Sequence, residues 1–190
     1  INSGIIEIRP DSGSNDLETE FFPLSSAAET KMTGIGTGAP SASTGGTPSP
    51  FGGATAGAQA LSIKRNLQFP PEHAAFAGLS QRVAEALMRH PLFLSAVLPR
   101  QMLPPMFNRY ADGGHYGDHV DNALQRQRFT GEQVRTDVST TVFLSEPEAY
   151  EGGELIIDDT YGEHEVKLAA GDAIVYPATS LHRVAPVSAG

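Results

Sequence analysis

The chain has 190 residues, enough for one domain with a real core, and 13 basic against 22 acidic side chains give a net charge of −9. No basic stripe offsets that charge (pI near 5.0), which argues against a nucleic-acid partner. The absence of cysteine excludes disulfides, thiolate metal sites and cysteine nucleophiles, and no apolar run or leader predicts a membrane partner, so a cytoplasmic location is expected.

Residues 1–53 differ in composition from the rest. INSGIIEIRP reads as a short strand and LETEFFPL as a short apolar patch; residues 30–53 are Gly, Ser, Thr, Ala and Pro with almost no apolar anchors. Such a composition cannot offset its ordering entropy and predicts a flexible linker. The domain is therefore expected at 54–190. ALSIKRNLQF (60–69) predicts a strand ended by Pro70 and Pro71, with Lys64 and Arg65 either at the mouth of a site or on a solvated strand edge. Leu79, Val83, Ala86 and Leu87 then recur at helical spacing until Pro91 stops the pattern. PLFLSAVLP (91–99) predicts a second short helix packed into the same core. His73 and His90, in this helical region, read as surface or boundary residues.

From Met106 onward short strands alternate with glycine and acidic turns: FNRYA, HYGDHV, RTDVSTTVFL, GELIID, HEVKL, AIVYP and HRVAPV. That spacing predicts an all-β sandwich or barrel, with Gly152, Gly153 and Gly171 in the turns. His119 and Asp121 are two apart, so an extended strand puts both on one face. His182, in SLHRV after the apolar run AIVYP, is a third candidate far downstream. Two histidines and a carboxylate are the set that holds non-haem Fe(II) with open coordination positions. His115 and His119 also form H-x-x-x-H, a spacing found on zinc-hydrolase helices. Tyr116 stands where that motif carries glutamate, and Gly113, Gly114 and Gly117 disfavour a helix. His115 then reads as a rim residue, in phase with His119 only if the strand runs unbroken through Gly117. His164 reads as an exposed residue.

The stretches KRNLQ (64–68), FNRY (107–110), HVDNA (119–123), RTDVSTTVFLS (135–145), EGGELIIDD (151–159) and VKLAAGDAIVYPATSLHRVAPV (166–187) together resemble the PKHD-type hydroxylases. These are bacterial relatives of the prolyl 4-hydroxylases among the Fe(II)/2-oxoglutarate oxygenases. The resemblance runs in the family's order over about residues 54–190 and leaves residues 1–53 without a counterpart. It implies a mainly β domain with flanking helices, a double-stranded β-helix or jelly roll. It implies a hydroxylase that uses Fe(II) and 2-oxoglutarate, with ascorbate as reductant. It implies His119, Asp121 and His182 as iron ligands, and Tyr110 as a contact to 2-oxoglutarate.

Strand phase sets Ser139, Thr141 and Phe143 on one face of their strand and Thr140, Val142 and Leu144 on the other. If the first face lines the barrel, Ser139 or Thr141 is placed to hydrogen-bond the cosubstrate. The family also carries a basic residue ten positions after the distal histidine. Counted from His182 that position is 192, past Gly190, so the chain reads as C-terminally truncated with the last strands of the jelly roll missing. A small-molecule or peptide substrate is expected, and no residue names it. Two alternatives stay open: a jelly-roll module that binds metal or ligand without turnover, and a cupin-type metalloenzyme that uses no 2-oxo acid.

Overall fold

The run AIVYP forms a strand buried on both faces, and the layers of the domain are built around it. The structure, a computed structural model, describes residues 6–8, 63–127 and 130–190. In chain order the strands and helices are β1 (Ile6–Ile8), β2 (Lys64–Arg65), β3 (Leu67–Gln68), α1 (Phe76–Arg89), α2 (Pro91–Val97), β4 (Asn108–Arg109) and β5 (His115–His119). There follow β6 (Leu124–Arg126), β7 (Gln133–Arg135), β8 (Val138–Val142), β9 (Glu151–Gly152) and β10 (Leu155–Asp159). The last are β11 (Gly162–Val166), β12 (Ala173–Pro177), β13 (Leu181–Val184) and β14 (Val187–Ala189).

One sheet has the order β1-β12-β8 and the other β11-β10-β13-β5-β2, with short pairs β14-β9, β3-β4 and β6-β7 beside them. Every pairing is antiparallel. Because side chains alternate along β12, its two faces enter two different cores. Ala173 and Val175 face the helices with Phe76, Val83, Leu87, Phe93 and Phe107, while Ile174 and Tyr176 face the second sheet with Phe143, Leu155, Ile157 and Val166. A strand buried on both sides reads as a continuous apolar run, as AIVYP does.

Helix α1 covers the first sheet because Phe76, Ser80, Val83 and Leu87 share one stripe. It starts one turn before Leu79, where the periodicity begins in the sequence, and gives way at His90. His90 is extended, and its Nδ1 accepts a hydrogen bond from the Phe93 N–H at 3.4 Å, so it caps α2, whose first residue is Pro91. His73 packs its ring on Phe69 at 4.9 Å. Among the described residues no helix is long and apolar enough to cross a membrane.

The predicted strand at 60–69 is broken into β2 and β3, its first three residues lying outside the described residues. RTDVSTTVFL is likewise two strands, β7 and β8. Strand β6, paired with β7, has no apolar alternation to announce it: its burial pattern is exposed, half-buried, exposed. The apolar patch LETEFFPL and the linker expected at 30–53 lie outside the described residues. Within INSGIIEIRP, Ile6–Ile8 does form a strand, and it pairs with β12 through Ile6 opposite Val175.

On the outer face of the second sheet Arg183 forks onto Glu163 at 2.8 and 2.9 Å and reaches Asp118 at 3.4 Å. The Arg183 hydrogen bond holds the Glu163 carboxyl below its usual range. At the sheet edge, the Tyr161 N–H and then His164 lower Asp159 in the same way; His164 is half-buried and 3.1 Å from that carboxylate, not free in solvent. A lowered carboxylate stabilises the fold above its unfolded-state value and loses that contribution as pH falls through its folded value. Urea unfolding should therefore show stability falling on acidification below about pH 4.5, and Glu163→Gln should flatten part of that acid limb.

At the end of β9, Gly152 has φ +73°, and a Cβ there would stand 2.1 Å from the Pro186 carbonyl oxygen. Gly152→Ala should destabilise the domain by about 2–4 kcal/mol in the same unfolding assay, since both the backbone angle and the close approach resist a side chain.

Candidate metal centre

The site begins in the pairing of β13 with β5. His182 stands opposite His119, and Val184 opposite Tyr116, so two residues of β5, Gly117 and Asp118, answer one of β13, Arg183. This is a β-bulge, and it changes which side chains share a face. In a regular strand, residues three apart point to opposite sides. Here Tyr116 and His119 both face inward, where their rings stack at 3.5 Å, while Asp118 faces outward to Arg183. Gly117 fits the bulge because its N–H bonds the Ile63 carbonyl at 2.8 Å and a Cβ would meet Ile63 Cβ at 3.0 Å.

His119, Asp121 and His182 converge, with one ligand-type atom from each lying within 4.8 Å of the others. Both imidazoles are oriented the same way. The Nδ1 of His119 lies 2.8 Å from the Gly117 carbonyl, and that of His182 lies 2.9 Å from the Ser180 carbonyl. A carbonyl can only accept, so each Nδ1 carries a proton, and Nε2 is the nitrogen each ring offers to a metal. Burial pushes His119 below its usual range. Nearby His182 and Lys64 add to that effect, against the Gly117 carbonyl and Asp121, and the neutral ring a metal needs is favoured.

Asp121 reaches the site by a different route from the one strand alternation predicts. Strand β5 ends at His119; beyond it the Asp121 N–H bonds the Ala178 carbonyl at 3.1 Å, and its Oδ2 accepts from the Ser139 hydroxyl. The carboxylate is thus tied to the first sheet, and Oδ2 comes 3.9 Å from His182 Nε2. A site of two imidazoles and one oriented carboxylate fits a divalent metal with mixed nitrogen and oxygen preference, ferrous iron among them.

Ser139 and Thr141 do share the inward face, as their phase predicts, with Phe143 in the core beneath them. Their hydroxyls have partners within the protein. Ser139 bonds Asp121, and Thr141 lies 3.4 Å from the Tyr176 hydroxyl. Burial pushes the Tyr176 phenol up to about 12, Thr141 opposing and Asp121 adding to it. Tyr110 is pushed up further by burial, with Tyr116 and Tyr176 adding, which places both of those phenols within electrostatic reach of Tyr110. Each remains a protonated donor at neutral pH.

His115 is not drawn in. The strand does run on through Gly117, but the bulge turns His115 to the opposite face, with its Nδ1 at 2.9 Å from the Gly113 carbonyl. Lys64 does face the site: its ammonium stands 4.7 Å from the centre of the Tyr116 ring. Burial lowers its pKa, against the attraction of Asp121. Tyr116 and Tyr176 were not legible as site residues. Gly117 was the one available signal for Tyr116, and for Tyr176 it was the inward phase of an otherwise apolar strand.

Residues 105–190 match the family model described as the 2OG-Fe(II) oxygenase superfamily. Over 139 residues, 73% of this chain, the sequence is 62% identical to a PKHD-type hydroxylase of Hyphomonas neptunium (strain ATCC 15444). It is 54% identical to one of Acinetobacter baumannii (strain AYE), again over 139 residues and 73% of this chain. The matched region spans 62% and 61% of the length of those two relatives. Among solved structures, a Pseudomonas putida prolyl-4-hydroxylase superposes with a TM-score of 0.55 at 19% identity, covering 97% of this chain and 86% of that one. A Trichoplax adhaerens prolyl hydroxylase in complex with a hypoxia inducible factor peptide fragment gives 0.53 at 15%, covering 99% and 80%. At these identities the structural likeness is one of fold, and that fold is the jelly roll. Residues 105–190 are thus similar to the 2OG-Fe(II) oxygenase superfamily, and the chain around them to PKHD-type hydroxylases.

Proposed function

We propose that this chain carries the metal centre of a 2-oxoglutarate-dependent dioxygenase that hydroxylates a C–H bond of a small molecule or peptide. The observation that supports it most is the convergence of His119, Asp121 and His182, each with its own orienting partner. In this reading the three side chains hold Fe(II) and leave coordination positions open. Bound Fe(II) and 2-oxoglutarate would supply oxidative decarboxylation of the cosubstrate to succinate and CO2, coupled to transfer of one oxygen atom from O2 to the substrate. The protein's own part is orientation and shielding. Ser139 keeps Asp121 aimed, Tyr176 and Thr141 form a protonated wall, and Tyr110 donates to a cosubstrate carboxylate. Ascorbate is proposed as the reductant that keeps the iron ferrous. A ferrous site suits a reducing compartment, so the cytoplasm is the proposed location.

The solved relatives are prolyl hydroxylases, one of them holding a peptide fragment, which supports keeping a peptide beside a small molecule as the substrate class. The acidic balance of the chain supports a partner other than nucleic acid.

The test is succinate formation in aerobic mixtures of the chain with Fe(II), 2-oxoglutarate and candidate substrates. Succinate should form with the parent and fall at least about 100-fold in His182→Ala, which removes one of three protein ligands. Fe(II) binding without any succinate would favour a binding module, and oxygen uptake that ignores 2-oxoglutarate would favour a cupin-type enzyme.

Ser139→Ala should weaken metal binding about tenfold in an anaerobic Fe(II) titration, because the carboxylate loses the hydroxyl that aims it. Thr141→Val should leave that titration unchanged, its hydroxyl being engaged with Tyr176 and not with a ligand.

A further inference from the structure

Two of the three convergent side chains are held from behind by the body of the domain. His182 is 5% exposed and packed edge-on by Tyr176 at 5.1 Å, and Asp121 is tied to Ser139. His119 is half-buried, on the open side of the site, and its neighbours are different. Tyr116 lies flat against it, ring centres 3.5 Å apart and planes 15° from parallel. Lys64 stands over the Tyr116 ring with Nζ 4.7 Å from its centre. Ammonium and imidazole thus both pack on the one phenol ring.

The backbone is shaped to deliver this arrangement. Lys64 is in register with Tyr116 across β2 and β5, which sets the ammonium over the ring. The bulge at Gly117 and Asp118 brings Tyr116 onto the face of His119, a position that regular alternation denies it. One hydrogen bond, from His119 Nδ1 to the Gly117 carbonyl, sets the tautomer and one point of the ring. The tilted His182 ring, 4.1 Å away, borders His119, and a flat neighbour that itself carries a cation over its ring restricts the remaining swing about that point.

We infer that Tyr116 and Lys64 are positioning residues that clamp the His119 imidazole, so that its Nε2 is presented to the metal with a fixed ring plane. Neither touches the reacting atoms. Tyr116 acts through His119, and Lys64 acts through Tyr116. Face contact, not the phenol hydroxyl, is what Tyr116 contributes.

The inference rests on the metal reading above, and the test separates the two. Co(II) is titrated anaerobically into the full chain and its variants, with its visible absorption recorded and the apo proteins' thermal midpoints measured alongside. Tyr116→Phe keeps the stacked ring and should bind Co(II) with parental affinity and spectrum. Tyr116→Ala should bind about tenfold more weakly, with altered Co(II) bands, the size expected when a partner of a ligating histidine is lost. Tyr116→Leu keeps bulk without a flat aromatic face, should behave like Tyr116→Ala, and carries the test if the alanine variant fails to fold. Lys64→Met should weaken binding about threefold, with a smaller spectral change. Parental affinity and spectrum in folded Tyr116→Leu or Tyr116→Ala would overturn the clamp, and parental behaviour of Lys64→Met would overturn the share given to Lys64. A parent chain that binds no Co(II) would instead overturn the metal reading itself.

Discussion

His119 and His182 face each other across one antiparallel pair of strands, and a slip of one residue between β5 and β13 would turn one of them to the outer face. What resists that slip is spread over both faces of the sheet. Inside, Ile157 is fully buried next to His182, and Val184 packs with the core behind Tyr116. Outside, Arg183 ties β13 to β5 through Asp118 and reaches past β10 to Glu163 on β11. Exposed ion pairs contribute little to stability. The Arg183–Asp118 pair has a further use here, because it spans the β5–β13 seam and a slip there would pull its partners apart.

The two sheets divide the chemistry between them. The β11-β10-β13-β5-β2 sheet supplies both imidazoles, the stacked tyrosine and the lysine. The β1-β12-β8 sheet supplies the hydroxyls of Ser139, Thr141 and Tyr176. Asp121 is the link: its chain position belongs to the end of β5, and its bonds to Ala178 and Ser139 belong to the opposite layer. The site therefore assembles only when the two layers meet, and its geometry reports on how closely they pack.

The parts legible in the sequence were those that follow a single period. Leu79, Val83 and Leu87 announce a helix, the alternation in VSTTV sorts Ser139 and Thr141 from Thr140 and Val142, and AIVYP announces a strand without a solvent face. What broke a period was hidden. The bulge depends on one extra residue beside Gly117, and that lone glycine is its only mark in HYGDH. Strand β6 is mostly exposed and so carries no apolar signal. The candidate triad stood out through residue type and a resemblance. The routes by which its members arrive did not, since the Asp121 anchor is a backbone bond to Ala178, and backbone bonds between remote segments leave no mark in side-chain pattern.

Strand β1 closes one edge of β12, pairing Ile6 to Ile8 with a strand that lies almost at the other end of the chain. On the opposite edge β12 already has β8, so the sheet behind Tyr176 reaches its full width only through a contact of very long sequence separation. Such contacts carry the largest loop-closure entropy and are slow to form. The order of folding follows. The β5–β13 pair and the β8–β12 pair close shorter loops and can assemble first, leaving the edge of β12 uncapped until the first residues dock. During that interval the exposed backbone of β12 is open to pairing with another molecule, so the N-terminal strand guards the nascent domain against self-association.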